Sequence, residues 1–493
     1  MLHPRESGAY SRIVAEQPEA SGVEQIQVVI DPVSGFLWGT VLIYVLLAAG
    51  IYFSVKTRFV QIRRFGHMFK LVLSSRGGAN GGISSFQAFC IGLASRVGTG
   101  NIAGVAIALT LGGPGAIFWM WMVALVGMAT AFVEATLAQI FKVAQPDGTF
   151  RGGPAFYIQR GLGSRAGGVV FAVLLIFTFG IAFNAVQANT ISGVLADAHT
   201  VPTSITGFVL AILAVPVFFG GMRTIAKVAE ILLPLMALAY ILLALVMLGL
   251  NAGRIIPSIG LIVSSAFGLG PAVAGVTGGF AAALLNGVKR GLFSNEAGMG
   301  SAPNTAATAT VAHPAIQGFI QSLGVFVDTM VVCTITAIII LVSGVWDPAQ
   351  PTAIAGATLT QAAVISDFGD AGRWFMTIVV FCFAFSSVLG NYAYAESNLT
   401  FLGASKKAIT IFRVIALLAV LLGSISALPL VWAIADVAMA LMTLVNIVAI
   451  VALGRWAFAA LADYETAVEA HRAPVFTSQT SGLPPVPAAG LVW

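Results

Sequence analysis

The chain reads as an all-α polytopic membrane protein, two five-helix units of opposite orientation behind one extra N-terminal span, about eleven crossings in all. Three observations predict this. Of the 493 residues, 58% are hydrophobic and only 9% charged, with a mean hydropathy of +0.96, which excludes an ordinary soluble chain of one or two domains. The apolar residues fall into successive runs long enough, at about 20 residues, to cross a bilayer. Two of those runs are interrupted by glycine, asparagine and a charge. With the first span set aside, the interruptions take the first and sixth places among the remaining ten, as inverted repeats require.

Residues 1–35 are polar and mixed in charge, lack a signal-peptide layout, and are expected to form an external tail. The first span, Phe36 to Val55, ends in Lys56, Arg58, Arg63, Arg64, Lys70 and Arg76, a density that places this loop in the cytoplasm. Alternation then gives spans at Ser84–Leu111, Gly115–Phe141, Gly167–Ala196, Ile205–Gly220 and Ile225–Leu250. Ile255 to Leu269 reads as a short helix over the external face, followed by the second interrupted run. Ile316–Val345, Arg373–Asn391, Ile409–Ser426 and Leu430–Leu453 complete the set. The C-terminus is then cytoplasmic, and residues 456–493, rich in Pro and Ser after Ala473, are expected to be a tail that is disordered at its end.

The first interruption is Gly92 to Gly104, where Arg96, Gly98, Thr99, Gly100 and Asn101 sit at mid-depth. Unpaired amides and carbonyls in hydrocarbon cost several kcal/mol each, so this composition suits a helix broken to line a site. Carbonyls ending one half suit a cation, and free N–H groups opening the next suit an anion, together a zwitterion and a metal ion. A glycine-rich packing face also explains Gly100 and Gly104, but not Arg96, Thr99 or Asn101. The second interruption runs from Lys289 to Asn304, with Ala306 to Thr310 resuming a helix. Lys289 and Arg290 equally suit a plain cytoplasmic loop.

Other function classes lack their marks. The pI near 9.2 comes from loop residues that report topology, so no nucleic-acid partner is implied. Cys90, Cys333 and Cys382 are scattered in apolar runs, and the five histidines show no ligand spacing. An intramembrane enzyme needs a nucleophile or metal set, and neither His-Glu-x-x-His nor Gly-x-Ser-x-Gly is present. A channel calls for rings of charge or carbonyls along one pore, against two broken helices at related positions. Glu134, Glu230, Asp328, Glu396 and Asp436 lie in or at the ends of spans, where ionisable groups are paired or functional. Glu230 and Glu396 are expected to pair with basic neighbours, and Trp119 and Trp121 to pack or anchor at the interface.

Phe36-Leu37-Trp38-Gly39, Thr57 to Gln61, Val97 to Val105, Gly112 to Trp121, Val186-Gln187-Ala188-Asn189 and Gly291 to Pro303 together resemble one family, the alanine or glycine:cation symporters. The resemblance runs from about Phe36 to Leu453. It implies a LeuT-like fold in a symporter domain of residues 36–455 and sodium-coupled import of a small neutral amino acid across the cell membrane. It implies no cofactor beyond sodium as the coupling ion, and no obligate protein partner. The substrate carboxylate is expected at Thr99 and Gly100, with Gln187, Phe293, Ser294, Asn295 and Glu296 around the ammonium and side chain. Gln187 equally suits an interhelical hydrogen bond. Sodium is expected among the carbonyls of Ala94 and Val97 and the hydroxyls of Ser386 and Ser387, although adjacent serines also bond back to their own helix.

Two positions depart from the family pattern. Arg96 stands where many relatives have a small residue, and Asn391 where they have a tryptophan. With Asn101 they complete the expected substrate set, and they widen the range of solutes from alanine to glycine, serine or glutamine. Arg96 is expected to pair with Glu296 and to replace a second sodium.

Overall fold

The computed structural model describes residues 22–75, 82–146, 148–268, 279–347 and 356–477. The expected disordered end beyond residue 477, and the tail before residue 22, lie outside the described residues. Helix already begins at Gly22 and leads into the first span, α1 (Ile26–Lys56). A helix α2 (Phe65–Ser74) follows, and then the first interrupted span, α3 (Ser85–Arg96) and α4 (Gly100–Gly112), bent by 47°. After α5 (Gly115–Ile140), a two-stranded hairpin, β1 (Val143–Ala144) with β2 (Phe150–Arg151), precedes the short α6 (Pro154–Gly161). Then come α7 (Arg165–His199), α8 (Thr203–Leu250) and the shorter α9 (Ala252–Ala266). The second interrupted span is α10 (Gly279–Asn295) with the single turn α11 (Pro303–Ala306). Finally α12 (Pro314–Ser343), α13 (Ala357–Phe401), α14 (Lys406–Ile425) and α15 (Leu428–Glu469) close the bundle.

Among the described residues eight helices are long and apolar enough to cross a membrane, nine when the bent pair is taken as one span. The 48-residue α8 is two arms. At about 1.5 Å per residue it would reach roughly 70 Å, more than twice a hydrocarbon core of about 30 Å. It turns at Gly221, whose φ of 73° and ψ of −177° only glycine adopts freely, at the boundary expected between Gly220 and Ile225. Gly369 breaks α13 in the same way (φ 56°, ψ −136°), setting off residues 357–368 ahead of the expected span.

Two expectations fail on local chemistry. The small residues after the second interruption do not resume a helix: Thr310 N–H donates to Ile83 O at 3.0 Å and Ala309 bridges Ile83, tying this segment to the start of α3. The last helix runs past Leu453 to Glu469, because its end is held by Arg63 and Arg64 on Glu465 and by His67 on Tyr464.

Lys289 and Arg290 do not form a loop. They sit inside α10, where both Arg290–Asp436 contacts (2.8 and 2.6 Å) and Lys289–Asp436 (2.6 Å) join α10 to α15. Arg290 and Asp436 are each 3% exposed. A buried ion pair contributes little net stability, but removing one partner strands the other charge, at a cost of about 3–5 kcal/mol. Asp436→Asn is therefore expected to lower the unfolding temperature in detergent, and Lys289→Met and Arg290→Met together with Asp436→Leu to restore most of it. Equal melting of Asp436→Asn and wild type would contradict the assignment.

Candidate functional site

The two interruptions face each other. A side-chain carbon at Gly100 would lie 2.9 Å from Ser294 Cα and 3.2 Å from Phe293 Cδ1, so the backbones of α4 and α10 touch only because residue 100 is glycine. Ser84 and Gln87 form a capping box that starts α3, and Val97 (φ −75°, ψ 83°) ends it. On the other side Glu296 (φ 57°), Gly298 (φ 86°) and Gly300 (φ 84°) carry the chain through left-handed backbone. Three π-helical turns, Gly100–Gly104, Thr178–Phe183 and Phe326–Cys333, frame these openings, in keeping with their frequency at functional sites.

Side chains meet the backbone groups that the breaks release. Gly98 N–H donates to Asn101 Oδ1 at 2.9 Å and Thr99 N–H to Gln187 Oε1 at 3.2 Å. Ala297 N–H donates to Asn295 Oδ1 at 3.0 Å, and Gly298 N–H to Glu134 Oε1 at 3.1 Å. Asn446 donates to Glu134 Oε2 and to Gly298 O, both at 2.9 Å, and is itself held by the Tyr157 hydroxyl.

Asp328, on α12, bridges the two openings. Its carboxylate accepts from Asn101 Nδ2 (2.7 Å), Ser294 Oγ (2.6 Å) and Thr329 Oγ1 (2.8 Å), and Asn295 Nδ2 reaches Thr329 Oγ1 at 3.2 Å. Phe293 stacks on Phe183 with ring centroids 4.4 Å apart and lies 4.5 Å from Trp432. The Arg290 guanidinium covers that indole at 4.5 Å. Beyond Trp432 lies a cavity of about 360 Å³ that it lines together with Thr110, Asn286 and Lys289.

The structure thus brings the expected substrate residues into one cluster, with one correction. Arg96 and Glu296 form no ion pair. Arg96 Nη1 donates to Gln321 O at 3.2 Å, in space left by Gly324, whose absent side chain would come 2.5 Å from that nitrogen. Glu296 is instead held by Ser95 Oγ at 2.8 Å and Ser301 Oγ at 2.6 Å. Asn391 faces Ser95 Oγ at 2.8 Å and Asn184 at 3.1 Å. Glu230 likewise takes Gln87 Nε2 at 2.9 Å rather than a basic partner.

Of the expected cation ligands, Ala94 O lies 3.3 Å from Ser386 Oγ and 3.0 Å from Ser387 Oγ. Both hydroxyls also reach Phe383 O on their own helix, at 2.9 and 3.1 Å, so back-bonding and contact with α3 occur together. A side chain at Gly98 would collide with Ser387 Oγ, which places the Val97–Gly98 peptide beside this group. The donor set is oxygen-only, as hard cations require.

The sequence reading missed Ser95, Asn184, Thr329, Trp432 and Asn446 as site residues. It marked Glu134 and Asp328 only as costly charges in apolar spans, which was the usable signal.

Two openings set face to face in a membrane bundle, lined by acceptors and donors for a small charged solute, define a membrane transporter of LeuT-like fold. The fold is shared with the solved structure of MhsT in complex with L-phenylalanine, at a TM-score of 0.53 and 16% identity over 73% of this chain and 87% of that one. The chain belongs to the sodium:alanine symporter family, whose profile matches residues 23–478. It is 44% identical to the probable sodium/glutamine symporter GlnT of Bacillus subtilis, over 91% of this chain and 92% of the relative. It is 46% identical to the amino-acid carrier protein AlsT of Bacillus subtilis (90% and 94% covered) and 41% identical to the sodium/alanine symporter AgcS of Methanococcus maripaludis (83% and 90%).

Gln187 accepts from the Thr99 amide freed by the first break, an interhelical hydrogen bond. Gln187→Ala strands the Thr99 amide and is expected to weaken amino-acid binding by about 1–3 kcal/mol. Equal binding by the alanine variant, measured on purified protein, would remove Gln187 from the site.

Proposed function

We propose that this chain imports a small neutral amino acid, alanine foremost, together with sodium, by alternating access across a cell membrane, with eleven crossings and an external N-terminus. The observation that carries the reading is the pairing of an oxygen-only group (Ala94, Ser386, Ser387) with two opened helices that touch at Gly100 and Ser294. The names of the related AgcS and AlsT support it, and GlnT supports a second reading in which the solute is glutamine.

The steps follow from the geometry. At the N-terminal end of α4 the Thr99 N–H is taken by Gln187, and the substrate carboxylate at Thr99 and Gly100 would meet the positive end of the helix dipole and the buried Thr99 hydroxyl, which has no partner among the described residues. Phe293, Phe183 and Trp432 supply an apolar wall for a short side chain, and Asn101, Ser294 and Asp328 hold the two openings in register. Sodium, bound by Ala94, Val97, Ser386 and Ser387, joins α3 to α13. Sodium and solute therefore favour the same arrangement of α3, α4, α10 and α13, which is how binding one promotes binding the other.

Purified protein in liposomes is expected to accumulate labelled alanine only under an inward sodium gradient. Ser386→Ala with Ser387→Ala is expected to raise the sodium concentration for half-maximal uptake by at least about tenfold, the equivalent of about 1.4 kcal/mol. Uptake without a gradient at the same level would indicate a channel, and unchanged sodium dependence in the double variant would remove these serines. Stronger uptake of glutamine than alanine would establish the second reading.

A further inference from the structure

One buried hydrogen-bond chain has its direction fixed by a backbone carbonyl. Gly180 O, which only accepts, lies 3.2 Å from the Asn184 amide nitrogen, so Asn184 turns its Oδ1 toward Asn391. Asn391 in turn directs Nδ2 to that oxygen at 3.1 Å and its own Oδ1 to Ser95 Oγ at 2.8 Å. Flipping Asn184 alone opposes like groups at both of its links, flipping Asn391 alone sets its Oδ1 against Asn184 Oδ1, and flipping both sets Asn184 Oδ1 against Gly180 O. Ser95 has a single hydroxyl proton, and Asn391 Oδ1 takes it. Glu296 Oε1 nevertheless lies 2.8 Å from the same Ser95 Oγ. Two oxygens at that distance need a proton between them, and only the carboxyl group is left to bring it.

We infer that Glu296 is a proton-binding site, held here as the neutral acid with its Oε1–H donating to Ser95 Oγ and its Oε2 accepting from Ser301. The two other buried acids nearby form an internal control. Glu134 accepts from Gly298 N–H and Asn446 Nδ2, and Asp328 from Asn101, Ser294 and Thr329, so each has donors on both oxygens and suits the ionised form. The remaining groups around Glu296 act in both directions: the positive charge of Arg96 and the Tyr394 hydroxyl suit the carboxylate, and the negative charge of Glu134 suits the neutral acid. Arg96 on α3 is directed to Gln321 O and makes no ion pair with it, Glu134 on α5 opposes a second negative charge, and the Tyr394 hydroxyl of α13 lies beside it.

Glu296 is 1% exposed and Asn391 1%, and the chain spans four elements: α7, α13, α3 and the turn after α10. Moving α3 away from that turn removes the Ser95 acceptor and admits water, which accepts the proton and leaves the carboxylate. Closing restores the O–H donor. The carrier therefore binds a proton in this arrangement and releases it in an opened one, whichever amino acid and metal ion it carries.

Infrared difference spectra of the full chain in liposomes test this without any transport. At neutral pH the wild type is expected to show a protonated-carboxyl C=O band that Glu296→Gln lacks. That variant should melt near wild type, because its amide donates to Ser95 and accepts from Ser301 as the neutral acid does. Asn391→Ala frees the Ser95 proton for the carboxylate, so the band is expected to titrate away about one pH unit lower. Absence of the band from folded wild type, or its persistence in Glu296→Gln, would overturn the proton site. An unshifted titration in Asn391→Ala would overturn the direction of the chain, and it carries the test if Glu296→Gln fails to fold.

Discussion

Opening a helix inside hydrocarbon leaves backbone amides and carbonyls that no water can meet, and much of this molecule is arranged to meet them. The first break is completed by Asn101 from α4 and Gln187 from α7. The second is completed by Asn295 from α10, Glu134 from α5 and Asn446 from α15. Five helices thus supply one polar side chain each. Once such a network is satisfied it fixes a single geometry, since every lost partner leaves a buried group unpaired.

The same constraint explains why the site is both rigid and movable. Asp328 ties the two openings through hydroxyls and an amide, and Gly100 lets the backbones meet. The contacts of α3 with α13 and the Glu296 turn are of a different kind. Ser95 and the carbonyl of Ala94 meet α13 and the Glu296 turn through single hydroxyls, which part at less cost than the charge-assisted bonds around Asp328 and Glu134. Motion about the site is expected to run along that weaker seam.

The helical architecture was legible because hydropathy and the cost of mid-membrane polarity act locally. Both breaks, the turn at Gly221 and the short helix before α10 could be read from runs of ten to thirty residues. Gln187, Asn101 and the Ser386-Ser387 pair stood out as polar groups in apolar spans, but their partners did not. Whether Gln187 met a substrate or a neighbour depended on where the Thr99 amide points. The pairing of Arg96 with Glu296 rested on charge and on the two breaks facing each other. Its guanidinium turned instead toward Gln321 O because Gly324 leaves room there, while Ser95 and Ser301 already occupy the carboxyl. Trp432 and Asn446 gave no signal, since an aromatic or amide on an apolar span has many ordinary uses.

If sodium and amino acid stabilise one arrangement of the two openings, each must raise the other's affinity by the same factor. The decisive measurement is therefore equilibrium binding on purified protein, alanine titrated at several fixed sodium concentrations and sodium titrated at several fixed alanine concentrations. Equal factors well above one are expected. Alanine affinity that does not change when sodium is replaced by potassium would show that the cation and the opened helices are not joined in one site.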